Sequence, residues 1–136
     1  MATPGYSGTP LAKKLGIAPG LRVAVVGEPG DYRALVAPWP EGATLASRPG
    51  PDTPLVHVFA TERIALRAQL VRLRELLAPD AVLWVSWPKK ASRRPTDITE
   101  DTIRADALPL GWVDVKVCAV DEVWSGLKLV VRKALR

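Results

Sequence analysis

The sequence predicts an α/β fold: a mostly parallel sheet flanked by helices and closed by a C-terminal antiparallel hairpin. Three observations carry this. Valine-rich runs, Arg22 to Gly27, Leu55 to Ala60 and Val82 to Trp87, alternate with helical segments, as expected of strands buried on both faces. Between the second and third of these, Leu66, Leu70, Leu73 and Leu77 recur at helical spacing on one face. Finally, two β-rich runs at the end, Trp112 to Val120 and Leu127 to Lys133, are separated by only Asp121 to Gly126, a link too short for a parallel crossover.

The elements follow in order. Residues 1–9 read as extended, and Pro10 to Leu15 as one or two helical turns stopped by Gly16. Together, 1–15 form an N-terminal segment ahead of an α/β domain over 16–136. After the first strand, Asp31 can cap a short helix that Pro38 and Pro40 prevent from continuing. A weak strand, Ala43 to Ser47, precedes a proline-rich loop. Thr61 is a natural N-cap for the long leucine helix, and its arginines Arg63, Arg67 and Arg74 read as a solvated face. Asp97 or Thr99 caps the last helix, and Asp97 with Glu100 fits a capping box.

Composition narrows the function classes. The chain has 136 residues, 48% hydrophobic, with no apolar run of the roughly 20 residues needed to span a bilayer. The single cysteine, Cys118, excludes an internal disulfide framework and suits a reducing cytoplasm. The first residues lack the features of a signal peptide. A net charge of +5 and a pI near 9.7 favour polyanions, although much of it reads as solvated surface.

Several segments resemble class I, Rossmann-like methyltransferases that use S-adenosylmethionine. Gly16 to Val23 is similar to the lead into that family's first strand, Leu77 to Val85 to the approach to a mid-sheet strand, and Leu110-Gly111-Trp112 with the two final strands to its terminal hairpin. The resemblance implies a trimmed methyltransferase topology. The cofactor handles depart from it. The turn after the first strand reads Gly27-Glu28-Pro29-Gly30-Asp31, where Pro29 removes a donor. The end of the second strand, Ser47-Arg48, has no acid for ribose hydroxyls. A more specific resemblance is to a bacterial family of uncharacterised proteins, domain of unknown function 3052. It rests on Tyr6 to Gly16, Trp87 to Ser92, Thr96 to Asp101 and Lys116 to Gly126, and implies the fold without an activity.

In open α/β sheets, ligands bind beyond the carboxyl ends of the strands. That rule gathers candidate ligand-binding residues Gly27, Gly30, Trp87, Lys89, Lys90, Arg93, Asp97, Asp121, Trp124 and Ser125, with Arg94 beside them. They suit a phosphate- or carboxylate-bearing ligand with a flat group against tryptophan, though Lys89 and Lys90 could simply keep a loop soluble. At least one of Trp87 and Trp124 is expected to pack in the core. His57 reads as a packed or hydrogen-bonded core residue and Cys118 as buried. Ser86 lacks a hydrolase elbow, with no histidine placed to serve it. No metal site, Walker loop or catalytic triad is evident.

The leading expectation is therefore a non-catalytic binding or regulatory module, cytoplasmic and outside the membrane, with a small anionic ligand or a protein partner. No cofactor is expected, and S-adenosylmethionine is disfavoured. Two alternatives stay open: nucleic-acid binding through the basic loop 89–94, and a divergent S-adenosylmethionine-dependent methyltransferase. The sequence does not fix the oligomeric state.

Overall fold

A computed structural model describes residues 9–136; the expected extended stretch 1–9 falls, apart from Thr9, outside them. The described chain runs α1 (Leu11–Leu15), β1 (Arg22–Val26), α2 (Tyr32–Leu35), β2 (Thr44–Ala46), β3 (Leu55–Phe59), α3 (Arg63–Leu76), β4 (Val82–Pro88), α4 (Glu100–Ala107), β5 (Trp112–Ala119) and β6 (Trp124–Val131). Short 3-10 turns follow β4, α4 and β6. The strands form one sheet in the order β2-β1-β3-β4-β6-β5. β2, β1, β3 and β4 are mutually parallel, and β6 lies antiparallel between β4 and β5. The expected α/β architecture and terminal hairpin are both present.

Side-chain alternation sends each central strand's residues to two different cores. On one face, Leu66, Leu70 and Leu73 of α3 and Ile103 of α4 pack on Val56, Val58, Leu83 and Val85. On the other, Ala12 and Leu15 of α1 and Tyr32 of α2 pack with Val23, Val25, Phe59, Trp84 and Trp124. The Trp84 indole Nε1 donates to the Leu15 carbonyl at 2.9 Å, fixing α1 to its own sheet.

Three local expectations change. β6 starts at Trp124 rather than Leu127, so Ser125 and Gly126 are strand residues and the connection shortens. The close contact explains it: a side chain at Gly126 would press on Val120 and the Trp84 ring, at 3.1 and 3.3 Å. The N-cap of α3 is Glu62, one residue beyond Thr61, and its own side chain makes no capping bond. The capping box of α4 pairs Thr99 with Thr102, not Asp97 with Glu100. Asp97 is engaged elsewhere, at the start of α3.

Among the described residues, no helix is long and apolar enough to cross a membrane. The arginines of α3 are less free than expected. Arg63 forms a paired contact with Asp106 of α4, with Arg67 at 3.6 Å from the same carboxylate. The hydrogen bond from Arg63 holds the Asp106 carboxyl below its ordinary pKa.

Candidate functional site

β1, β3 and β4 run in one direction, so their carboxyl ends share one edge of the sheet. The chain passes from β1 to β2 on one side and then returns to β3 on the other. The order therefore reverses between β1 and β3, the place where open α/β sheets leave a crevice for ligands. Two clefts open along this edge. One, of about 340 Å³, lies between the turn and helix at 29–35 and the hairpin residues Asp121, Val123 and Trp124. The other, of about 510 Å³, lies between Thr61-Glu62 and residues 94–97. Arg94 lines both.

Hydrogen bonds hold the Arg94 loop in place. The Lys89 N–H donates to the Val123 carbonyl at 2.7 Å, and Ser92 Oγ donates to the Lys89 carbonyl at 2.6 Å. Thr96 Oγ1 donates to the Thr61 carbonyl at 2.6 Å and accepts from the Ile98 N–H at 3.1 Å. Asp97 Oδ1 accepts from the Arg63 N–H at 2.7 Å, capping α3 from a distant loop, as orphan donors at a helix start require.

Three carboxylates along the edge, Asp31, Asp97 and Asp121, are committed to backbone donors. Asp31 caps α2 through the Ala34 N–H at 3.2 Å. Asp121 Oδ1 accepts from the N–H groups of Val123 and Trp124, at 2.8 and 2.7 Å. Lys89, Lys90, Arg93 and Arg94 take no part in the ion pairs among the described residues, which involve Arg63, Arg67 and Arg104. The edge therefore presents cations outside those ion pairs beside Asp31, Asp97 and Asp121, which are hydrogen-bonded to the backbone, and Glu62, whose side chain makes no capping bond.

Beneath the first cleft lies a polar chain that sequence reasoning missed. Tyr32 Oη and His57 Nδ1 are 2.7 Å apart, and His57 Nε2 and Ser86 Oγ are also 2.7 Å apart. His57 and Ser86 are fully buried and Tyr32 nearly so. The expectation that no histidine is placed to serve Ser86 is thus corrected. Parallel pairing sets His57 opposite Trp84 and Phe59 opposite Ser86, so His57 and Ser86 share a face of adjacent strands. Burial pushes the His57 pKa down to about 3, keeping the ring neutral, and pushes the Tyr32 phenol up. A sealed histidine and serine fasten α2 to the sheet; they do not face a cleft.

The expected site residues divide among several places. Gly30, Asp121 and Trp124 line the first cleft and Asp97 the second. Trp87 and Lys90 border a separate hollow against the start of α4. Gly27, Lys89, Arg93 and Ser125 line neither edge cleft. Both candidate tryptophans are buried, Trp87 among the leucines and Trp124 edge-on to Phe59 at 5.2 Å, so neither offers a free face for stacking. Cys118 is half-buried, and burial raises its thiol pKa.

The expected S-adenosyl handles depart here at the end of β2, while the turn after β1 keeps its glycines. Gly27 has φ +72°, and a Cβ there would sit 2.6 Å from the Phe59 carbonyl oxygen, so this glycine serves close strand packing. At the end of β2, exposed Ser47 and Arg48 offer no carboxylate for a ribose, and Arg48 shares a groove with Arg22. Of the two glycines in the turn after β1, Gly30 is the open one, with nothing within 4 Å of an added Cβ.

No protein-family model matches the chain, and no curated protein resembles it in sequence, so the resemblance to domain of unknown function 3052 gains no support. Solved structures do match. An S-adenosylmethionine-dependent methyltransferase from Aquifex aeolicus aligns with TM-score 0.68 at 16% identity, covering 89% of this chain and 88% of that one. A putative type 11 methyltransferase from Sulfolobus solfataricus aligns with TM-score 0.64 at 11% identity, covering 90% of each. The α/β fold is thus similar to that of these methyltransferase structures. A functionally unknown protein from Deinococcus radiodurans R1 is also similar, with TM-score 0.55, 13% identity, and coverage of 93% of this chain and 90% of that one. At such identities the likeness concerns fold, and a fold hosts many activities.

Proposed function

We propose that this protein is a binding or regulatory module on a methyltransferase fold, holding a small anionic ligand around Arg94 at the carboxyl edge of its sheet. One observation carries the reading: an exposed arginine without an ion pair stands on a pinned loop as the common wall of two clefts. Guanidinium groups suit phosphate and carboxylate because their donors match two oxygens at once. The first cleft adds the apolar surface of Pro29, Leu35 and Val123 for the rest of the ligand. A non-catalytic role is supported by the burial of His57 and Ser86 and by the engagement of Asp31, Asp97 and Asp121 in caps and turns. The lone cysteine accords with a cytoplasmic protein.

The test is thermal unfolding with AMP, inorganic pyrophosphate and S-adenosylmethionine in turn. A ligand at ten times its Kd stabilises by about 1.4 kcal/mol, or about 4–6 °C for a chain of this size. The expected result is a shift with AMP or pyrophosphate that Arg94→Ala removes. Methyl transfer by the purified protein would contradict the non-catalytic part.

The second reading, a divergent S-adenosylmethionine-dependent methyltransferase, is favoured by the structural neighbours, one described as an S-adenosylmethionine-dependent methyltransferase and another as a putative type 11 methyltransferase. It predicts a shift with S-adenosylmethionine that Gly30→Val abolishes. Gly27 is the wrong position for that test, because its substitution disturbs β3 itself.

A further inference from the structure

The charge and shape of the Arg94 loop point beyond a small anion. From Lys89 to Arg94 the chain places four cations in six residues, and no carboxylate occurs between Pro88 and Asp97. None of the four takes part in the ion pairs among the described residues, while Arg63, Arg67 and Arg104 are neutralised against α4 and β5. The loop is therefore a local run of cations outside those ion pairs, at the ligand edge. Arg93 adopts a left-handed turn at φ 59°, and the bonds of Ser92, Thr96 and Asp97 fix the loop on both sides of Arg94.

We propose that this edge binds single-stranded nucleic acid, with a backbone phosphate on Arg94 and the two neighbouring nucleosides entering the clefts on either side of it. The inference rests on the anionic-ligand reading of the same site and names its ligand class. A polymer is favoured over a lone anion because Arg94 is shared by two clefts and follows Lys89, Lys90 and Arg93 in the chain, with Lys90 on a further hollow, so that more phosphates can be met outside the two clefts. A single strand is favoured over a duplex because only unpaired nucleosides can enter two separate hollows. Carboxylates on both clefts oppose such a strand: Asp31 and Asp121 on the first, already accepting backbone N–H bonds, and Asp97 and the exposed, uncommitted Glu62 on the second.

The experiment is fluorescence anisotropy with a fluorescein-labelled oligouridylate of about 12 nucleotides, a length within the usual span of single-strand sites. Titrations are repeated across a salt series, with the matching duplex and AMP as competitors. Four phosphate contacts predict a slope of log affinity against log salt near −3, at about 0.7 per contact. Arg94→Ala lowers the slope by about 0.7, and the double reversal Lys89→Glu with Lys90→Glu abolishes binding at moderate salt. Glu62→Gln tightens binding by about 1.4- to 5-fold, a gain that damaged folding would not produce. Lys133→Glu, at the opposite edge, leaves binding unchanged. Salt-independent binding, insensitivity to the Lys89 and Lys90 reversal, or equal binding of duplex overturns the proposal. If AMP binds through Arg94 and the oligonucleotide does not, the strand inference fails and the small-ligand reading stands. If neither binds, both fail.

Discussion

Under α3 and α4 the sheet is covered by helices of 14 and 8 residues, with leucine and isoleucine beneath them. Under α1 and α2 the cover is only 5 and 4 residues long, and the space is filled by Tyr32, Phe59, Trp84, Trp124 and the polar His57 and Ser86. Four of these rings also meet at close centroid distances: His57 stacks on Phe59 at 4.3 Å, Tyr32 lies edge-on to both, and Trp124 edge-on to Phe59. The difference teaches why the cleft opens where it does. A long helix seals its face with aliphatic side chains, whereas a single turn needs rings and hydrogen bonds to fasten it. The gap between that turn and the terminal hairpin remains open as the first cleft.

The sharpest way to break this comparison is to remove the fastening. His57→Ala leaves two buried hydroxyls without their partner and creates a cavity. It should cost about 4 kcal/mol in urea unfolding followed by tryptophan fluorescence. Replacing the whole chain by apolar groups, as Tyr32→Phe with His57→Leu and Ser86→Ala, should recover most of that loss, because no orphaned donor remains. If the triple variant is as unstable as His57→Ala, the chain is more than a fastening.

On the helical face, Leu70→Ala should cost about 3 kcal/mol in the same assay, through lost transfer energy and cavity formation. A loss under 1 kcal/mol would mean that this face is less tightly packed than its burial indicates.

The faces should also differ in acid. His57 has its folded pKa depressed to about 3, below the ordinary 6.5, so its contribution is complete above pH 6.5. It is lost as pH falls toward 3, because the unfolded chain takes up the proton first. At pH 5 the expected loss relative to pH 7.5 is about 2 kcal/mol, and it should be absent in His57→Leu. An equal pH 5 loss in that variant would assign the effect to other groups.

The smallest expected effect concerns the cap that joins the α3 face to the ligand edge. Asp97→Ala should destabilise by about 1 kcal/mol, the usual value of a lost N-cap, and Asp97→Asn by less. Amide exchange at Arg63 should accelerate in Asp97→Ala. Unchanged exchange would separate the Arg94 loop from α3.

Much of this fold is legible in the sequence because its strands are continuous valine-rich runs and its long helix has a regular leucine stripe. β6 began too late in that reading because Ser125 and Gly126 are poor strand formers, and only the close approach of Val120 and the Trp84 ring explains the glycine. Asp97 was assigned to the nearer helix because local rules see neighbours in sequence, whereas its partner Arg63 lies 34 residues away. The Tyr32–His57–Ser86 chain joins residues 25 and 29 positions apart: the parallel register of β3 and β4 brings His57 to Ser86, and the packing of α2 on that face brings Tyr32 to His57. A signal did exist: one histidine and one serine, each inside an otherwise apolar run. Arg94 was legible as a charge but not as a shared wall, because that depends on how two loops meet.

The most direct test of the Arg94 site is chemical-shift mapping of the isotope-labelled protein titrated with AMP. Perturbations confined to residues 29–35, 94–97 and 121–124, and lost in Arg94→Ala, are the predicted result. Perturbations centred instead on the Arg22 and Arg48 groove, or unchanged in Arg94→Ala, would contradict it.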